Sequence, residues 1–337
     1  MRIERPLISV IIPLYNKVST IERALSSVFS QETPPMEVIV VDDGSTDDSQ
    51  ELVLALQRRY RDAPPLKLIS QQNQGPGAAR NVGVREACGT HVAFLDADDE
   101  WMPGFLKKIE QQFKRYATSG AKAACVGYIE SPAGMDMMHL WRKRGIEQGV
   151  FELSSQSSLS VALARIAYLS SWSTVANRDT VLALEGFFDK ERALYGEDTF
   201  LWLKLLLNHP VIFSLEPYVI YHRESSELTR NLKGPRPVEP FLRYPELIIS
   251  RTPSDKHELA LRVLRARALK TAMVLMLFGK IRQAFNILET VGPINGFEFP
   301  RLLGALYRAS FPHDFRERIR DLIVRMTSFR GGTSEAA

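Results

Sequence analysis

An α/β fold, a Rossmann-like sheet flanked by helices with a mostly helical C-terminal appendage, is predicted by three observations. Apolar runs rich in Ile and Val alternate with segments of helical period in the first part of the chain, as βαβ units require. Each run ends in a loop rich in Asp, Asn, Gly or Pro. After GPRPVEP, residues 234–240, longer helical segments take over, so a boundary is expected between an α/β domain, 1–232, and a helical basic region, 233–337.

Residues 7–13, LISVIIP, read as the first strand, and Ile21, Ala24, Leu25, Val28 and Phe29 then recur at helical spacing. A second strand, 37–41, runs into DDGSTDD, where Gly44 permits a tight turn and Ser45, Thr46 or Asp47 can cap a helix reaching about residue 60. The third strand is 66–70. Glycines and a proline in QQNQGPGAARNVG form a loop before a helix over 78–87. The fourth strand, 92–95, stops at Asp96, Asp98 and Asp99, and Pro103 opens the next helical pattern. A helix over 105–117 and a strand over 121–129 follow. Met135, Met137, Met138 and Trp141 receive no functional role, since such clusters are usually core or lid packing. Leu201, Lys204 and Leu205 follow Glu197 and Asp198 at helical spacing, which puts both acids in a first turn, where the helix dipole favours negative charge. Helices over 259–278 and 281–291 should form a hairpin around Gly279.

Composition narrows the class. A hydrophobic share of 45% and a charged share of 24% are those of a globular protein. Two cysteines, Cys88 and Cys125, are too few for a disulfide framework or a cysteine zinc site and are read as small buried hydrophobes in a reducing compartment. Arg2, Glu4, Arg5 and Pro6 interrupt any leader, and the apolar patch at 271–278 is far shorter than the ~20 residues of a spanning helix, so a cytoplasmic location is expected. The net charge of +4 is uneven: from Lys233 onward 18 Lys and Arg face 10 Asp and Glu. Near the end Phe315, Ile319, Leu322, Ile323 and Met326 share a helical face, with Arg316, Arg318, Arg320 and Arg325 around it. That pattern fits peripheral contact with an anionic bilayer, at the inner face of the membrane, or docking on the chain's own domain. No nucleic-acid module is visible, so no nucleic-acid partner is expected.

In parallel βαβ sheets ligands bind beyond the carboxyl ends of the strands. At that edge lie Asn16 and Lys17, Asp42 and Asp43, Asn73 and Arg80, and the acidic trio. Residues two apart in extended chain face one way, so Asp96 and Asp98 can flank a hard divalent ion; an acidic loop capping the next helix is the alternative. GxGxxG and GxxxxGK[ST] are both absent, which removes a dinucleotide fingerprint and a P-loop.

The strings SVIIPLYNK (9–17), VIVVDDGSTDDS (38–49), NQGPGAARNVGV (73–84), FLDADDEW (94–101) and GFFDKERALYGEDTFLWLKL (186–205) together resemble the family 2 glycosyltransferases, inverting enzymes of the GT-A fold with a mixed sheet, of the kind that builds bacterial cell-surface polysaccharide. The resemblance implies a nucleotide-sugar donor, UDP-linked by default, and a hydroxyl of a glycan or lipid-linked acceptor. It implies that Pro13, Tyr15, Asp42, Asp43 and Asn73 hold the nucleoside, that Arg80 lines the base pocket and that Asp96 approaches the ribose. Asp98 becomes the leading ligand of Mn²⁺ or Mg²⁺, with Asp96 and Asp99 available to share it. Asp198 becomes the base, with Glu197 as its acceptor-binding neighbour. Relatives carry a YRxH-like string where this chain reads YHRES from Tyr221, so His222 is a ligand candidate from a shifted position. The QxxRW string of processive relatives is missing, which implies transfer of one sugar per encounter. Two rivals remain: a sugar nucleotidyltransferase, whose phosphate loop after strand one is replaced by PLYNKVST, and a GT-A-fold scaffold without turnover, against which intact Asp96, Asp98 and Asp198 weigh.

Overall fold

Alternation along the first strands feeds two cores, one on each face of the sheet. In β1 (Ile8–Leu14), Ile8, Val10, Ile12 and Leu14 join one cluster and Ile11 the other; in β2 (Glu37–Asp42), Val38 and Val40 pair with the first, Ile39 and Val41 with the second. Covered on both sides, such strands read as continuous apolar runs. The computed structural model describes residues 6–61, 63–225 and 234–292.

The helices α1 (Ile21–Phe29), α2 (Ser49–Arg59) and α3 (Pro76–Glu86) link β1, β2, β3 (Leu66–Ser70) and β4 (His91–Phe94). These four strands lie in the order β3-β2-β1-β4, all parallel, as the alternating pattern predicts. The helix after DDGSTDD begins at Ser49, and Asp47 Oδ1 accepts from the Ser49 amide at 3.1 Å and from its hydroxyl at 2.5 Å.

Beyond β4 the sheet becomes mixed. The elements are β5 (Glu100–Trp101), α4 (Phe105–Arg115), β6 (Ala123–Ser131), β7 (Met135–Asp136), α5 (Met138–Lys143), β8 (Gly149–Phe151), α6 (Leu159–Tyr168), β9 (Thr174–Asn177), α7 (Arg178–Ala183), α8 (Glu197–Asn208) and β10 (Val211–His222). Strand β9 runs antiparallel between β4 and β6, while β10 pairs parallel with β6 and antiparallel with β5. Met138 and Trp141 are buried in the core, whereas Met135 is half exposed. Cys125 is buried as expected; Cys88 is exposed, because it follows the end of α3 rather than packing beneath it.

Among the described residues four α-helices follow residue 234: α9 (Pro240–Arg243), α10 (Pro245–Ile249), α11 (His257–Leu277) and α12 (Ile281–Thr290), the last two turning at Gly279 with φ +74°. Among the described residues they do not build a separate core. Phe241, Leu242, Ile248, Leu259 and Val263 belong to the same cluster as Leu159, Leu201 and Trp202. The change in composition near 233 therefore marks a change of architecture inside one continuous core. No helix of the described residues is long and apolar enough to cross a membrane. The basic face at 315–326 lies outside the described residues.

A shared core makes a test. Phe241→Ala should cost about 3–5 kcal/mol, the usual range for emptying a buried aromatic site. Urea unfolding followed by Trp fluorescence and by far-UV circular dichroism should show one coincident, earlier transition. Separate transitions would mean that the helices after 234 unfold apart from the sheet.

Candidate active site

The carboxyl ends of β1, β2, β3 and β4 open on a cleft of about 460 Å³, lined by Pro13, Tyr15, Lys17, Asp43, Asn73, Arg80, Asp96, Asp98, Arg192, Leu194 and Glu197 among others. Its turns hold one another. Asn16 adopts φ +51°, its amide donates to Ser45 Oγ at 3.0 Å and its Oδ1 accepts from the Thr46 amide at 2.8 Å, which ties the first βα turn to the second. Asp43 ties the second to the third: Oδ1 accepts from Gln71 Nε2 (2.7 Å) and the Gln74 amide (2.8 Å), Oδ2 from the Gly75 amide (2.8 Å). Tyr15, 42% exposed, lines the cleft.

Arg80 joins this edge to the later half of the chain. Its Nη2 donates to Asp96 Oδ1 at 2.6 Å and its Nη1 to Glu197 Oε1 at 2.8 Å, with only 4% of the residue exposed. Close backbone approach makes the bridge feasible. A Cβ on Gly77, one turn before Arg80, would stand 2.1 Å from the Phe188 carbonyl oxygen and 3.3 Å from Glu197 Cγ. Helix α8 starts from Gly196 at φ +76°, so Glu197 and Asp198 occupy its first turn. Burial works against the Arg80 charge, but the carboxylates of Asp96, Glu197 and Asp198 outweigh it and hold the guanidinium protonated.

The acids are unequal. Burial and the neighbouring Asp198 charge push Glu197 up to about 7 despite the Arg80 contact. Burial also raises Asp198, while Arg80 and the Thr199 amide pull the other way; its Oδ1 accepts from that amide at 2.6 Å. Among the described residues Asp198 Oδ2 has no hydrogen-bond partner, so one oxygen stays available. Asp198 does not line the cleft itself; Glu197 does.

Beyond the end of β4, Asp96 and Asp98 line the cleft and Asp98 Oδ2 accepts from Lys17 Nζ at 2.9 Å. Burial, joined by the Asp96 charge, raises Asp98 against the pull of Lys17. Two expected ligands are corrected. Asp99 is 1% exposed, accepts from the His222 amide at 2.8 Å and does not line the cleft. The His222 ring is taken by Glu224 at 2.9 Å through Nδ1 and by Glu100 at 3.3 Å through Nε2. Asp42 likewise does not line the cleft; it is buried, its Oδ1 accepting from the Ser45 amide at 3.1 Å. Among the described residues no three His, Cys, Asp or Glu side chains converge as a metal site. Two carboxylates suit a hard divalent ion only when a ligand's oxygens and water complete its shell. The sequence reading gave no role to Lys17, Arg192 or Leu194; an alternation rule within one strand cannot find a lysine whose partner lies 81 residues away.

Comparison with known proteins agrees with this geometry. Residues 9–161 match the family model described as glycosyl transferase family 2. An uncharacterised glycosyltransferase of Nostoc sp. is 46% identical over 107 residues, covering 32% of this chain and 33% of that protein. The GalNAc(5)-diNAcBac-PP-undecaprenol beta-1,3-glucosyltransferase of Campylobacter jejuni is 38% identical over 109 residues, 32% of this chain and 34% of that one. The chain thus spans about a third of the length of these curated relatives. Among solved structures, S. aureus TarS with UDP-GlcNAc superposes with a TM-score of 0.60 at 22% identity, covering 89% of this chain and 79% of that chain. The mannosyltransferase PcManGT of Pyrobaculum calidifontis with GDP-Man and Mn²⁺ gives 0.55 at 19% identity, over 90% and 81% of the two chains. Likeness at that identity is one of fold, and the fold is GT-A.

Because the folded state holds a proton on Glu197 up to about 7, against an ordinary value of 4.5, the unfolded chain binds fewer protons in that window. Stability contributed by this group is full below pH 4.5 and is lost as pH rises toward 7. The thermal midpoint of the ligand-free chain should fall across that range, and Glu197→Gln should flatten the fall. An unchanged slope in the variant would locate the titration elsewhere.

Proposed function

Residues 9–161 match the glycosyl transferase family 2 model and the chain has the GT-A fold, and from that premise we propose that the chain moves one sugar, with inversion, from a UDP-sugar to a hydroxyl of a glycan or lipid-linked acceptor. The observation that carries this reading is the shared cleft: Pro13, Tyr15, Asp43 and Asn73 line it together with Asp96, Asp98 and Glu197. The UDP-GlcNAc held by TarS supports the choice of nucleotide. The undecaprenol-linked substrate in the name of the Campylobacter relative supports a lipid-linked acceptor.

In the proposed complex Tyr15 stacks on the base, Asn73 and the loop fixed by Asp43 shape the nucleoside end, and Asp96 meets the ribose with the oxygen not held by Arg80. Asp98, with Asp96, would hold a divalent ion, which when bound offsets charge on the diphosphate. Lys17, already paired to Asp98, adds a positive charge that can turn to the same phosphates. Asp198 accepts the proton of the acceptor hydroxyl through its uncommitted oxygen. The acceptor oxygen then bonds to the anomeric carbon as the bond to the diphosphate breaks, and the nucleoside diphosphate leaves with that electron pair. Glu197, held by Arg80, orients the acceptor instead of serving as the base.

Two variants separate these roles. Asp98→Ala should abolish the metal-dependent part of UDP binding in a thermal-shift titration with and without Mn²⁺. Asp198→Asn should bind UDP as the parent does and lose on the order of 10²–10⁴ in transfer rate, the usual contribution of a general base. Normal turnover by Asp198→Asn would refute the assigned base.

A further inference from the structure

The turn between α11 and α12 gathers apolar surface that the core does not use. Five of the fourteen large apolar side chains exposed among the described residues fall within ten positions: Met276, Leu277, Phe278, Ile281 and Phe285, each 40% exposed or more. Single exposed apolar residues are ordinary, but five gathered at one turn form a patch that asks for a partner. The two helices are already docked through other positions, α11 by Ala268, Ala272 and Leu275 and α12 by Ala284 and Ile287. Ile281 and Phe285, one turn apart, form a second strip of α12 beside the buried one. The Phe278 amide donates to the Val274 carbonyl at 3.3 Å and the Lys280 amide to the Leu275 carbonyl at 2.9 Å, which keeps Leu277 and Phe278 at the same tip.

The tip is also basic. Lys280 and Arg282 are exposed and carry no ion pair among the described residues. No Asp or Glu occurs between Glu258 and Glu289, and Glu289 lies two turns beyond Arg282 along α12. A second copy set tip to tip would press these cations against their own counterparts, with no acid in the patch to receive them. An anionic bilayer meets both needs: its acyl boundary takes the apolar side chains, and lipid phosphates take the ammonium and guanidinium heads.

The tip lies at the end of the molecule that carries the acid pair. Lys256, just before α11, donates to the Leu207 carbonyl at 3.0 Å, in the last turn of α8. Farther along, Arg267 and Thr271 hold Glu239 at 2.7 and 3.1 Å, and a Cβ on Gly196, at the start of α8, would stand 2.9 Å from Glu239 Cγ. Helix α11 therefore runs antiparallel to α8, and from Thr271 to Leu277 it continues about 9 Å past that start. Glu197 and Asp198 occupy the first turn there.

We propose that the α11–α12 hairpin is a docking tip for an anionic lipid bilayer, with Leu277, Phe278, Ile281 and Phe285 entering the headgroup boundary and Lys280 and Arg282 meeting lipid phosphates. No helix of the described residues is long and apolar enough to cross a membrane, so the contact is one with the bilayer surface. Docking follows from the tip itself; its use, bringing a lipid-linked hydroxyl to the Asp198 end of the site, rests on the transferase reading above.

The test is flotation of the full chain with vesicles of phosphatidylcholine alone and of equimolar phosphatidylcholine and phosphatidylglycerol. The chain should float with the anionic vesicles and be released by high salt. Lys280→Gln/Arg282→Gln should weaken that binding about fivefold for each charge removed. Phe278→Ser/Phe285→Ser should weaken it about tenfold or more, as loss of two buried aromatic side chains does. All four side chains are exposed, so the thermal midpoint and the UDP-induced thermal shift should stay at parent values. Equal flotation of parent and both variants, or equal flotation with the two kinds of vesicle, overturns the proposal. So does absence of flotation, whether the Phe variant lowers the thermal midpoint, which assigns the tip to packing within the chain, or dissolves a dimer seen by light scattering, which assigns it to a second copy. Flotation that both variants weaken, in a parent that shows no UDP shift, supports the docking tip and overturns the transferase reading alone.

Discussion

The double ion pair of Arg80 with Asp96 and Glu197 is the contact on which the site is built. A guanidinium cannot shed its proton to escape burial, so a site that excludes water from Arg80 must supply negative charge at hydrogen-bonding distance. Here the two carboxylates come from opposite parts of the chain: Asp96 from the end of the fourth parallel strand, Glu197 from the helix after the antiparallel β9. The guanidinium also lies 5.3 Å from the centre of the Phe187 ring, which covers one face of it. One residue on α3 thereby fixes the distance between the place where a donor's ribose would lie and the place where an acceptor would lie.

That fixed charge also sorts the acid pair. Glu197 is held through Oε1 by Arg80 and faces the cleft, whereas Asp198 keeps one oxygen without a partner among the described residues. The Arg80 contact fixes Glu197 in place without overcoming the burial and the Asp198 charge that raise it to about 7. Asp198, raised by burial and without a direct ion pair among the described residues, keeps that oxygen for the base role proposed above. Lys17 plays the matching part on the other side, where it stands on Asp98. Each of the two cations engages an acid at the cleft, and in the proposed complex an incoming diphosphate would compete with Asp98 for Lys17.

Much of this could be read from the sequence because it is local. Strand, polar turn and helix repeat in the chain's own order through residue 101, so the four parallel strands and the residues at their carboxyl ends follow from alternation and turn chemistry. Spacing alone brought Asp96 and Asp98 to one side; that Asp99 is buried against the His222 amide was not legible in it. What escaped was long-range. Two- and three-residue strands such as β5, β7 and β8 exist only through their pairing partners and carry no pattern of their own. His222 had a suitable side chain for a ligand, but Glu100 and Glu224, brought alongside by strand pairing and a tight turn, engage its ring. Arg80 and Glu197 are 117 residues apart, and no periodicity in either segment announces the other.

The helices after residue 234 bear on the same geometry. Gly196 carries no side chain, and Glu239 fills the space that a Cβ there would need, so the start of α8 and the loop before α9 are in direct contact. Glu239 is held in turn by Arg267 and Thr271 of α11. The direction in which Asp198 projects is therefore set from two sides, by Arg80 acting on Glu197 and by α11 acting through Glu239 on Gly196. A side chain at Gly196 would have to displace Glu239 as well as adopt a left-handed backbone. Part of the basic excess of the C-terminal region thus has a local meaning: Arg267 holds the carboxylate that packs against the start of α8.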